Sequence, residues 1–221
     1  MGAVAVVPIK LNNRRLPQKN TKRFTGGQPL CYYILSTLLT VDGLEEVYVY
    51  CSNPDIQKYI PNGVRYLKRS ASLDQDATTM NEVLQCFAKD VPADIYVMAH
   101  TTSPFISGTS IEKGLCAVVS GEYDSSFAAK KLQDFLWKDG VPINYKLNNI
   151  PRTQDLPVLY KETSGFYIYK NDLITKLNQR IGAKPFIVEV GEIESIDIDE
   201  PEDFVIADAV YNHLFSGQGS E

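Results

Sequence analysis

Short β-branched and apolar runs alternate with helical patterns along most of this 221-residue chain, and this alternation constrains the fold more than any other feature. Ala3–Ile9 is a continuous apolar run suited to a central strand, and residues 93–99 repeat the pattern. Between such runs, apolar residues recur at helical spacing, as from Leu30 to Leu38. Repeated strand–helix–strand units build a mostly parallel sheet, so the sequence predicts an α/β fold.

The alternation stops between residues 132 and 163, where a Trp-Lys-Asp-Gly turn and three prolines interrupt every pattern. The same stretch holds more large apolar side chains than a free loop exposes. We therefore expect one domain over residues 1–221 with an inserted arm or lid at about 132–163. The arm packs either against a second subunit, which we favour, or against its own chain.

Composition excludes several classes of protein. The chain has 22 Lys and Arg against 27 Asp and Glu, a net charge of −5, which argues against a general affinity for nucleic acid or anionic membranes. Its apolar runs fall short of the roughly 20 residues of a membrane-spanning helix, so we expect neither anchor nor export. The four cysteines (Cys31, Cys51, Cys86 and Cys116) form no CxxC pair and are interpreted as buried thiols of a cytoplasmic protein. GxGxxG, GxxxxGK[ST] and GxSxG motifs are absent.

Positive charge is concentrated directly after the first strand. Residues 10–23 contain six basic residues and no acidic one. In open α/β sheets ligands bind beyond the carboxyl ends of strands, so these cations lie where a polyphosphate is expected. A solvated basic turn is the alternative.

Negative charge is concentrated near the other end of the sequence, where residues 189–203 hold eight acidic residues and no basic one. Asp197 and Asp199 point the same way if this segment is extended, and Mg²⁺ would relieve their repulsion while leaving room for phosphate oxygens. These acidic residues also suit the start of a final helix, with Pro201 in its first turn.

Four segments, in order, resemble motifs of the acylneuraminate cytidylyltransferase family, the CMP-sialic acid synthetases and their relatives for other keto sugar acids. Residues 7–20 (VPIKLNNRRLPQKN) resemble the P-A-R-G-G-S-K-x-x-P-x-K-N loop, and residues 100–105 (HTTSPF) resemble Q-P-T-S-P-L. Residues 151–157 (PRTQDLP) and 164–167 (SGFY) resemble R-R-Q-D-L-P followed by N-G-x-x-Y, and residues 196–204 (IDIDEPEDF) resemble I-D-I-D-x-x-E-D-F. The resemblance implies a three-layer, Rossmann-like nucleotidyltransferase sheet, a homodimer with the sugar pocket near its interface, and activation of sugar acids for surface polysaccharides.

The resemblance also implies roles for individual residues. The CTP-binding set is Lys10, Asn13, Arg14, Lys19, Asn20 and Arg69. The acceptor-binding set is His100, Thr102, Ser103, Arg152, Gln154 and Ser164, with Arg152 a candidate for the sugar carboxylate and His100 alternatively a packing residue. Asp197 and Asp199 fall on the Mg²⁺ ligands. Lys19, Arg14 and Asp199 are expected to carry the catalysis.

The sequence departs from the family pattern within these motifs. Lys10 replaces an arginine, which keeps the charge but loses the planar fork. Leu11 and Asn12 replace two glycines, so cationic side chains are expected to carry more of the phosphate binding. His100 replaces a glutamine and Ser164 an asparagine near the expected sugar pocket, which affects the identity of the sugar.

The expected reaction is attack by the anomeric hydroxyl of a 2-keto-3-deoxy sugar acid on the α-phosphate of CTP, which gives a CMP-sugar and pyrophosphate. The alternatives are a nucleotidyltransferase acting on another sugar acid (3-deoxy-octulosonic acid type) or on a sugar phosphate or alditol phosphate, a nucleotide-sugar glycosyltransferase, and a binding module without turnover. In a glycosyltransferase the DxD motif usually stands in mid-chain, whereas Asp197 is near the end.

Overall fold

A seven-stranded sheet with helices on both faces forms the body of the protein; the computed structural model describes residues 2–215. The strands are β1 (Ala3–Ile9), β2 (Leu44–Cys51), β3 (Arg65–Lys68), β4 (Ile95–Ala99), β5 (Ser125–Leu132), β6 (Trp137–Lys138), β7 (Val141–Pro142), β8 (Leu159–Lys170) and β9 (Pro185–Val190). The helices are α1 (Leu30–Leu39), α2 (Met80–Asp90), α3 (Gly108–Val119), α4 (Asn171–Leu177) and α5 (Pro201–Phe215). Four 3₁₀ turns cover Lys19–Thr21, Pro54–Lys58, Ala71–Asp74 and Thr153–Asp155.

The main sheet has the order β3-β2-β1-β4-β8-β5-β9. All neighbours pair in parallel except β8, which runs antiparallel to both β4 and β5. Because the other six strands point the same way, their carboxyl ends meet at one edge of the sheet, and the expected mostly parallel α/β architecture is confirmed.

Each face of the sheet is covered by its own pair of helices. One core joins alternate residues of the central strands to α1 and α3, through side chains such as Ile34 and Ile111. The opposite core joins the intervening residues to α2 and α4, through side chains such as Phe87 and Ile174. A third cluster packs α5 against the loop after β1, where Phe24 contacts Phe204 with ring centroids 5.2 Å apart. This packing brings the acidic segment next to the basic loop.

The bounds of two elements differ from the sequence expectation for reasons that the structure shows. The sequence pattern predicts a helix over residues 76–89, but α2 begins at Met80 because Thr79 and Glu82 form a capping box. The pattern predicts a strand over residues 165–169, but β8 starts at Leu159, since residues 159–162 continue the ladder with β5.

Both ends of the 132–163 stretch therefore belong to the main sheet. Residues 133–158 form the irregular part, which contains the β6–β7 hairpin and a 3₁₀ turn. Within it, Gln133 Nε2 donates to the carbonyl oxygens of Gln154, at 3.2 Å, and Leu156, at 3.1 Å. The segment is thus ordered by contacts between its own residues.

The cysteine expectation is only partly correct. Cys31 and Cys51 are buried, Cys86 is half-buried, and Cys116 is exposed on α3. Burial raises the pKa of the Cys31 thiol to about 12, so this thiol stays protonated and packs as an apolar group. Among residues 2–215, no helix combines the length and apolar character needed to cross a lipid bilayer.

Candidate active site

The basic loop lies beyond the carboxyl end of β1 and is fixed by a buried asparagine. Asn20 Nδ2 donates to the carbonyl oxygen of Lys10 at 2.8 Å and to Asn13 Oδ1 at 3.4 Å. Its own Oδ1 accepts a hydrogen bond from Thr101 Oγ1, in the loop after β4, at 2.5 Å. Asn20 therefore connects two loops that follow neighbouring parallel strands, and both polar atoms of its side chain take part in these hydrogen bonds.

Lys19 and Asp199 meet at the centre of this edge. Lys19 Nζ donates to Asp199 Oδ1 at 3.1 Å and to the carbonyl oxygen of Ile198 at 2.9 Å. Arg15 Nη2 lies 3.0 Å from the same Oδ1. Partial burial alone would raise the pKa of Asp199, but the Lys19 and Arg15 cations outweigh it and lower the pKa below the ordinary value. Asp199 is therefore a carboxylate at neutral pH.

A cleft of about 360 Å³ opens beside Lys19, and cations dominate its lining. Arg14 Nη1 lies 2.6 Å from Asp76 Oδ2, and Lys10 Nζ lies 3.6 Å from Asp76 Oδ1. The Arg14 side chain is 83% exposed, so its ion pair with Asp76 is weak and exchangeable. The full lining is Lys10, Asn13, Arg14, Arg15, Leu16, Lys19 and Asp76. This concentration of positive charge suits an anion with several charges.

Asp197 lies deeper than Asp199 and is less well satisfied. Its Oδ1 is buried without a hydrogen-bond partner among the described residues. Burial raises the pKa of Asp197 the most, a nearby Thr102 side chain lowers it, and the charge of Asp199 raises it again. The backbone N–H of Ile198 donates to the carbonyl oxygen of Thr102 at 2.9 Å, which keeps this acidic segment against the loop after β4.

A second group of polar residues surrounds the ring of Tyr167 on β8. The His100 ring stands edge-on to it, with centroids 6.4 Å apart. The Tyr167 hydroxyl donates to Glu162 Oε1, and the Ser164 side chain lies near enough to lower the tyrosine pKa, although burial raises that pKa to about 12 overall. Ser164 has a φ of 59°, in the left-handed region that asparagine adopts more readily than serine.

His100 is neutral at physiological pH. Burial, together with the positive charges of Arg180 and Lys19, lowers the pKa of its imidazole to about 4, while Asp199 opposes this effect. His100 thus lies beside the Tyr167 ring and within electrostatic reach of the Lys19–Asp199 pair. Ser103, in the same loop, is fully buried, and its Oγ has no hydrogen-bond partner among residues 2–215.

Three residues expected at the site make their described side-chain contacts outside these two groups. Arg69 is buried and donates from Nε and Nη2 to Asp74 Oδ1, at 3.2 and 2.6 Å, so it fixes the turn after β3. Arg152 is exposed on the arm and donates to both carboxylate oxygens of Asp155, at 2.8 and 3.1 Å. Gln154 is also exposed on the arm. Within one chain, the described contacts do not link these side chains to the cleft.

The structure adds residues that the sequence comparison did not single out as site residues. Arg15 bridges Asp199 and Glu200, and Asp76 pairs with two cations of the cleft. Tyr167 was visible as the last position of the SGFY segment, and Arg15 as part of the basic run. Asp76 carried no signal, since it is one of many acidic residues and its approach to the cleft follows only from the folded loop.

A three-layer α/β sheet, a cationic cleft beyond its first strand and an acidic segment bound to that cleft through the Lys19–Asp199 pair define a nucleotidyltransferase. The family described as cytidylyltransferase matches residues 4–211, and the chain belongs to that family. It is accordingly a CTP-dependent nucleotidyltransferase, and the resemblance drawn from the four motifs is confirmed.

Two curated relatives support this assignment. The CMP-N,N'-diacetyllegionaminic acid synthase of Legionella pneumophila is 25% identical over 223 residues, which cover 94% of this chain and 95% of the relative. The "pseudaminic acid cytidylyltransferase and UDP-2,4-diacetamido-2,4,6-trideoxy-beta-L-altropyranose hydrolase" of Helicobacter pylori is 22% identical over 220 residues, or 95% of this chain. This chain spans only 42% of the Helicobacter protein.

Solved structures share the fold at lower identity. CMP:2-keto-3-deoxy-manno-octonic acid synthetase, solved with CTP, superposes with a TM-score of 0.73 at 19% identity and covers 97% of this chain and 100% of its own. The 4-diphosphocytidyl-2C-methyl-D-erythritol synthase of Anaerococcus prevotii gives a TM-score of 0.69 at 17% identity, with 96% of each chain covered. Both confirm the α/β nucleotidyltransferase architecture.

Proposed function

We propose that this protein transfers CMP from CTP to the anomeric hydroxyl of a 2-keto-3-deoxy sugar acid, a sialic acid or related nonulosonic acid, and releases pyrophosphate. The observation that carries the proposal is the Lys19–Asp199 pair at the mouth of a cationic cleft, in a chain of the cytidylyltransferase family. The names of the two curated relatives support a nonulosonic acid as the acceptor.

The cations of the cleft would bind the phosphates of CTP. Lys10, Arg14 and Lys19 present three positive charges to one cleft, and Asn13 adds an amide beside them. These groups would hold the β- and γ-phosphates of CTP and neutralise the charge of the departing pyrophosphate. Arg14 would exchange its exposed pairing with Asp76 for a phosphate, at little cost.

The two aspartates fit a magnesium ion, which we include in the proposal. Carboxylate oxygens are hard ligands suited to Mg²⁺, and the buried Oδ1 of Asp197, which lacks a partner among the described residues, is an oxygen that a cation would satisfy. No group of three or more His, Cys, Asp or Glu side chains suited to a metal occurs in residues 2–215, so phosphate oxygens and water would complete the coordination. When bound, Mg²⁺ screens the α-phosphate and acidifies the attacking hydroxyl.

The acceptor would lie on the other side of His100, beside the Tyr167 group. In the loop after β4, Thr102 lies beside Asp197, next to the fully buried Ser103. Neutral His100 would donate to or accept from a sugar hydroxyl without adding charge. In this arrangement the acceptor hydroxyl approaches the α-phosphate next to Asp197 and Asp199.

The exposed apolar arm supports a homodimer. Trp137 is 53% exposed, Ile143 55% and Leu147 63%, which is more apolar surface than a solvated segment usually presents. In a dimer, Arg152 and Gln154 on the arm would approach an acceptor pocket near the interface. Sedimentation at micromolar concentration should give a dimer, and Trp137→Ser with Ile143→Ser should shift it towards monomer. A monodisperse wild-type monomer would contradict this part of the proposal.

Pyrophosphate release tests the reaction directly. The protein is incubated with CTP and Mg²⁺ and with sialic, legionaminic, pseudaminic or 3-deoxy-octulosonic acid, with ATP, GTP and UTP as controls. We expect release with CTP and a nonulosonic acid. Release only with a sugar phosphate or alditol phosphate would replace the acceptor class, and CTP binding without turnover on any acceptor would favour a binding module. A cytoplasmic location and the lack of nucleic-acid or membrane partners stay predictions.

A further inference from the structure

Arg180 differs from the other arginines of the chain in what its guanidinium contacts. Six of the seven arginines donate a hydrogen bond or form an ion pair of 3.5 Å or less, as Arg69 does with Asp74. The Arg180 side chain makes no hydrogen bond to any residue from 2 to 215, and its nearest carboxylate oxygen, Glu162 Oε1, is 3.9 Å from Nη2. A guanidinium carries five N–H donors. Arg180 therefore has a full set of donors to offer a ligand.

The loop that carries Arg180 is held in place. Asn81 Nδ2, at the start of α2, donates to the carbonyl oxygen of Asn178 at 2.6 Å. The backbone N–H of Gln179 donates to the carbonyl oxygen of Leu173 at 2.9 Å, and that of Gly182 donates to Ser125 Oγ at 2.9 Å. Anchors thus lie on both sides of Arg180, so its position is set by the fold before any ligand arrives.

Arg180 faces the acceptor side of the proposed site. Its guanidinium carbon lies 4.1 Å from the centroid of the Tyr167 ring, and the same ring is contacted by His100 and Phe127, each at a centroid distance of 6.4 Å. Only 27% of the Arg180 side chain is exposed, and it lines a cavity of about 480 Å³ together with polar side chains. The polar lining is Thr79, Asn81, Glu162, Gln179 and Arg180. After burial, the charge of Arg180 is the main cause of the lowered pKa of His100, so its field reaches the loop after β4.

We propose that Arg180 binds the carboxylate of the sugar acid acceptor through paired N–H donors. The inference rests on the proposed function. It assigns the carboxylate contact to Arg180, in the loop between α4 and β9, whereas the sequence motifs suggest Arg152 for this contact. A planar guanidinium stacked on an aromatic ring can pair both its outward N–H groups with a carboxylate. Glu162 Oε1, which also accepts the Tyr167 hydroxyl, lies 3.9 Å from Arg180 Nη2, so the two form a long, partly exposed ion pair that a ligand carboxylate can replace at little cost. Tyr167 then serves as a positioning residue for the arginine.

The test compares Arg180→Gln with three other variants, using the panel acid that wild type turns over fastest. We expect Arg180→Gln to raise the KM for that acid about 10- to 100-fold, the range for a charged hydrogen-bonded pair, while the KM for CTP stays within about twofold. The KM of Arg180→Lys for the acid should lie between the values of wild type and Arg180→Gln, because lysine keeps the charge but lacks the two parallel N–H donors of arginine. Lys184→Gln, which removes a cation 5.3 Å from the centroid of the Tyr123 ring, should leave both constants unchanged. Arg152→Gln tests the rival residue.

A second substrate separates binding from a merely structural role. The carboxamide of the same acid has no negative charge, so its KM should be the same with wild type and with Arg180→Gln. An increase in KM for Arg180→Gln that is equal for acid, carboxamide and CTP, or an increase only in Arg152→Gln, would overturn the proposal. The melting temperature should stay within about 2 °C of wild type, since the side chain makes no hydrogen bond to lose within residues 2–215.

Binding without turnover keeps the two proposals distinguishable. Saturation-transfer NMR measures contact of each panel acid with the protein, whether or not pyrophosphate is released. Acids that bind wild type and not Arg180→Gln, without any turnover, would support the carboxylate site while refuting the transfer reaction. Turnover by Arg180→Gln with an unchanged KM for the acid would support the transfer reaction and refute the carboxylate site at Arg180. If no acid binds to wild type, both proposals are refuted.

Discussion

Lys19 Nζ and Asp199 Oδ1 lie 3.1 Å apart, although 180 positions separate the two residues in the chain. The pairing joins the two regions of opposite charge that stand out in the sequence. Lys19 also lines the cationic cleft, whereas Asp199 lies close enough to Asp197 for its charge to raise the pKa of that carboxyl. The ion pair therefore fixes the groups proposed to bind phosphate and the groups proposed to bind the metal relative to each other.

Replacing Lys19 by methionine should weaken both CTP binding and turnover. Methionine keeps most of the length and packing of the side chain, which is only 11% exposed, but it removes the charge and the bond to the Ile198 carbonyl. We expect kcat/KM for CTP to fall on the order of 100-fold. Steady-state pyrophosphate release measures it, and Lys176→Met, which removes an exposed lysine paired with Asp172, is the control. A loss below about threefold would remove Lys19 from the phosphate site.

Asp199 and Asp203 are four positions apart, but substitution of the first should lower turnover and substitution of the second should lower stability. Asp203 Oδ2 accepts the backbone N–H groups of Asp199, at 2.9 Å, and Glu200, at 2.8 Å, and so fixes the start of α5. Asp199→Asn should lower kcat on the order of 100-fold while the Kd for CTP changes less than about threefold. Asp203→Ala should cost about 1 kcal/mol of stability in urea unfolding and keep most of kcat. Near-normal turnover of Asp199→Asn would contradict the metal assignment.

His100 should make stability depend on pH. The unfolded chain protonates this imidazole below its ordinary pKa of 6.5, whereas the folded protein does so only near 4, so stability is lost as the pH falls through this interval. Between pH 7.5 and 5, wild type should lose on the order of 2 kcal/mol more than His100→Gln. Urea unfolding at the two pH values measures the difference. His213→Gln is the matched control, since His213 is exposed on α5; equal slopes for wild type and His100→Gln would be inconsistent with a buried neutral imidazole.

The parts of the site that follow parallel strands could be predicted from sequence. Lys10 follows β1 and Thr101 follows β4, and the carboxyl ends of neighbouring parallel strands must meet. The basic run and the acidic run were both visible, so their meeting at Lys19 and Asp199 is a short step once the resemblance is recognised. The start of α2 was predicted four residues early, although the Thr79–Glu82 capping box was legible in the sequence.

The acceptor side could not be predicted in this way. Tyr167 lies on β8, which runs antiparallel to the other strands of the seven-stranded sheet, and Arg180 comes from the loop between α4 and β9, so neither belongs to a series of strand ends. For Arg69 a motif suggests a nucleotide contact, which stays a prediction. In the structure this arginine is buried against Asp74, a partner that no local sequence pattern specifies. Side-chain pairing of this kind depends on tertiary packing.

Gly165 connects the packing of the sheet to the acceptor side of the site. A Cβ added there would lie 2.6 Å from Ile106 Cδ1 and 2.8 Å from its Cγ1, and Ile106 is itself buried. The Gly165 carbonyl accepts the backbone N–H of His100 at 3.4 Å, next to Ser164 and two residues before Tyr167. Gly165→Ala must therefore displace either the Ile106 side chain or strand β8.

We expect Gly165→Ala to cost about 1–3 kcal/mol of stability, the usual cost of overpacking a core, and to raise the KM for the acid more than the KM for CTP. The second effect follows because a shift of β8 moves the Tyr167 ring and the His100 backbone, whereas the Lys19 cleft belongs to other elements. Gly191→Ala, at a position where an added Cβ meets no atom within 4 Å, should change neither quantity. Combining Gly165→Ala with Ile106→Val, which removes the nearer methyl group, should recover part of the lost stability. If Gly165→Ala were as stable as wild type, tight packing of Ile106 against Gly165 would be contradicted.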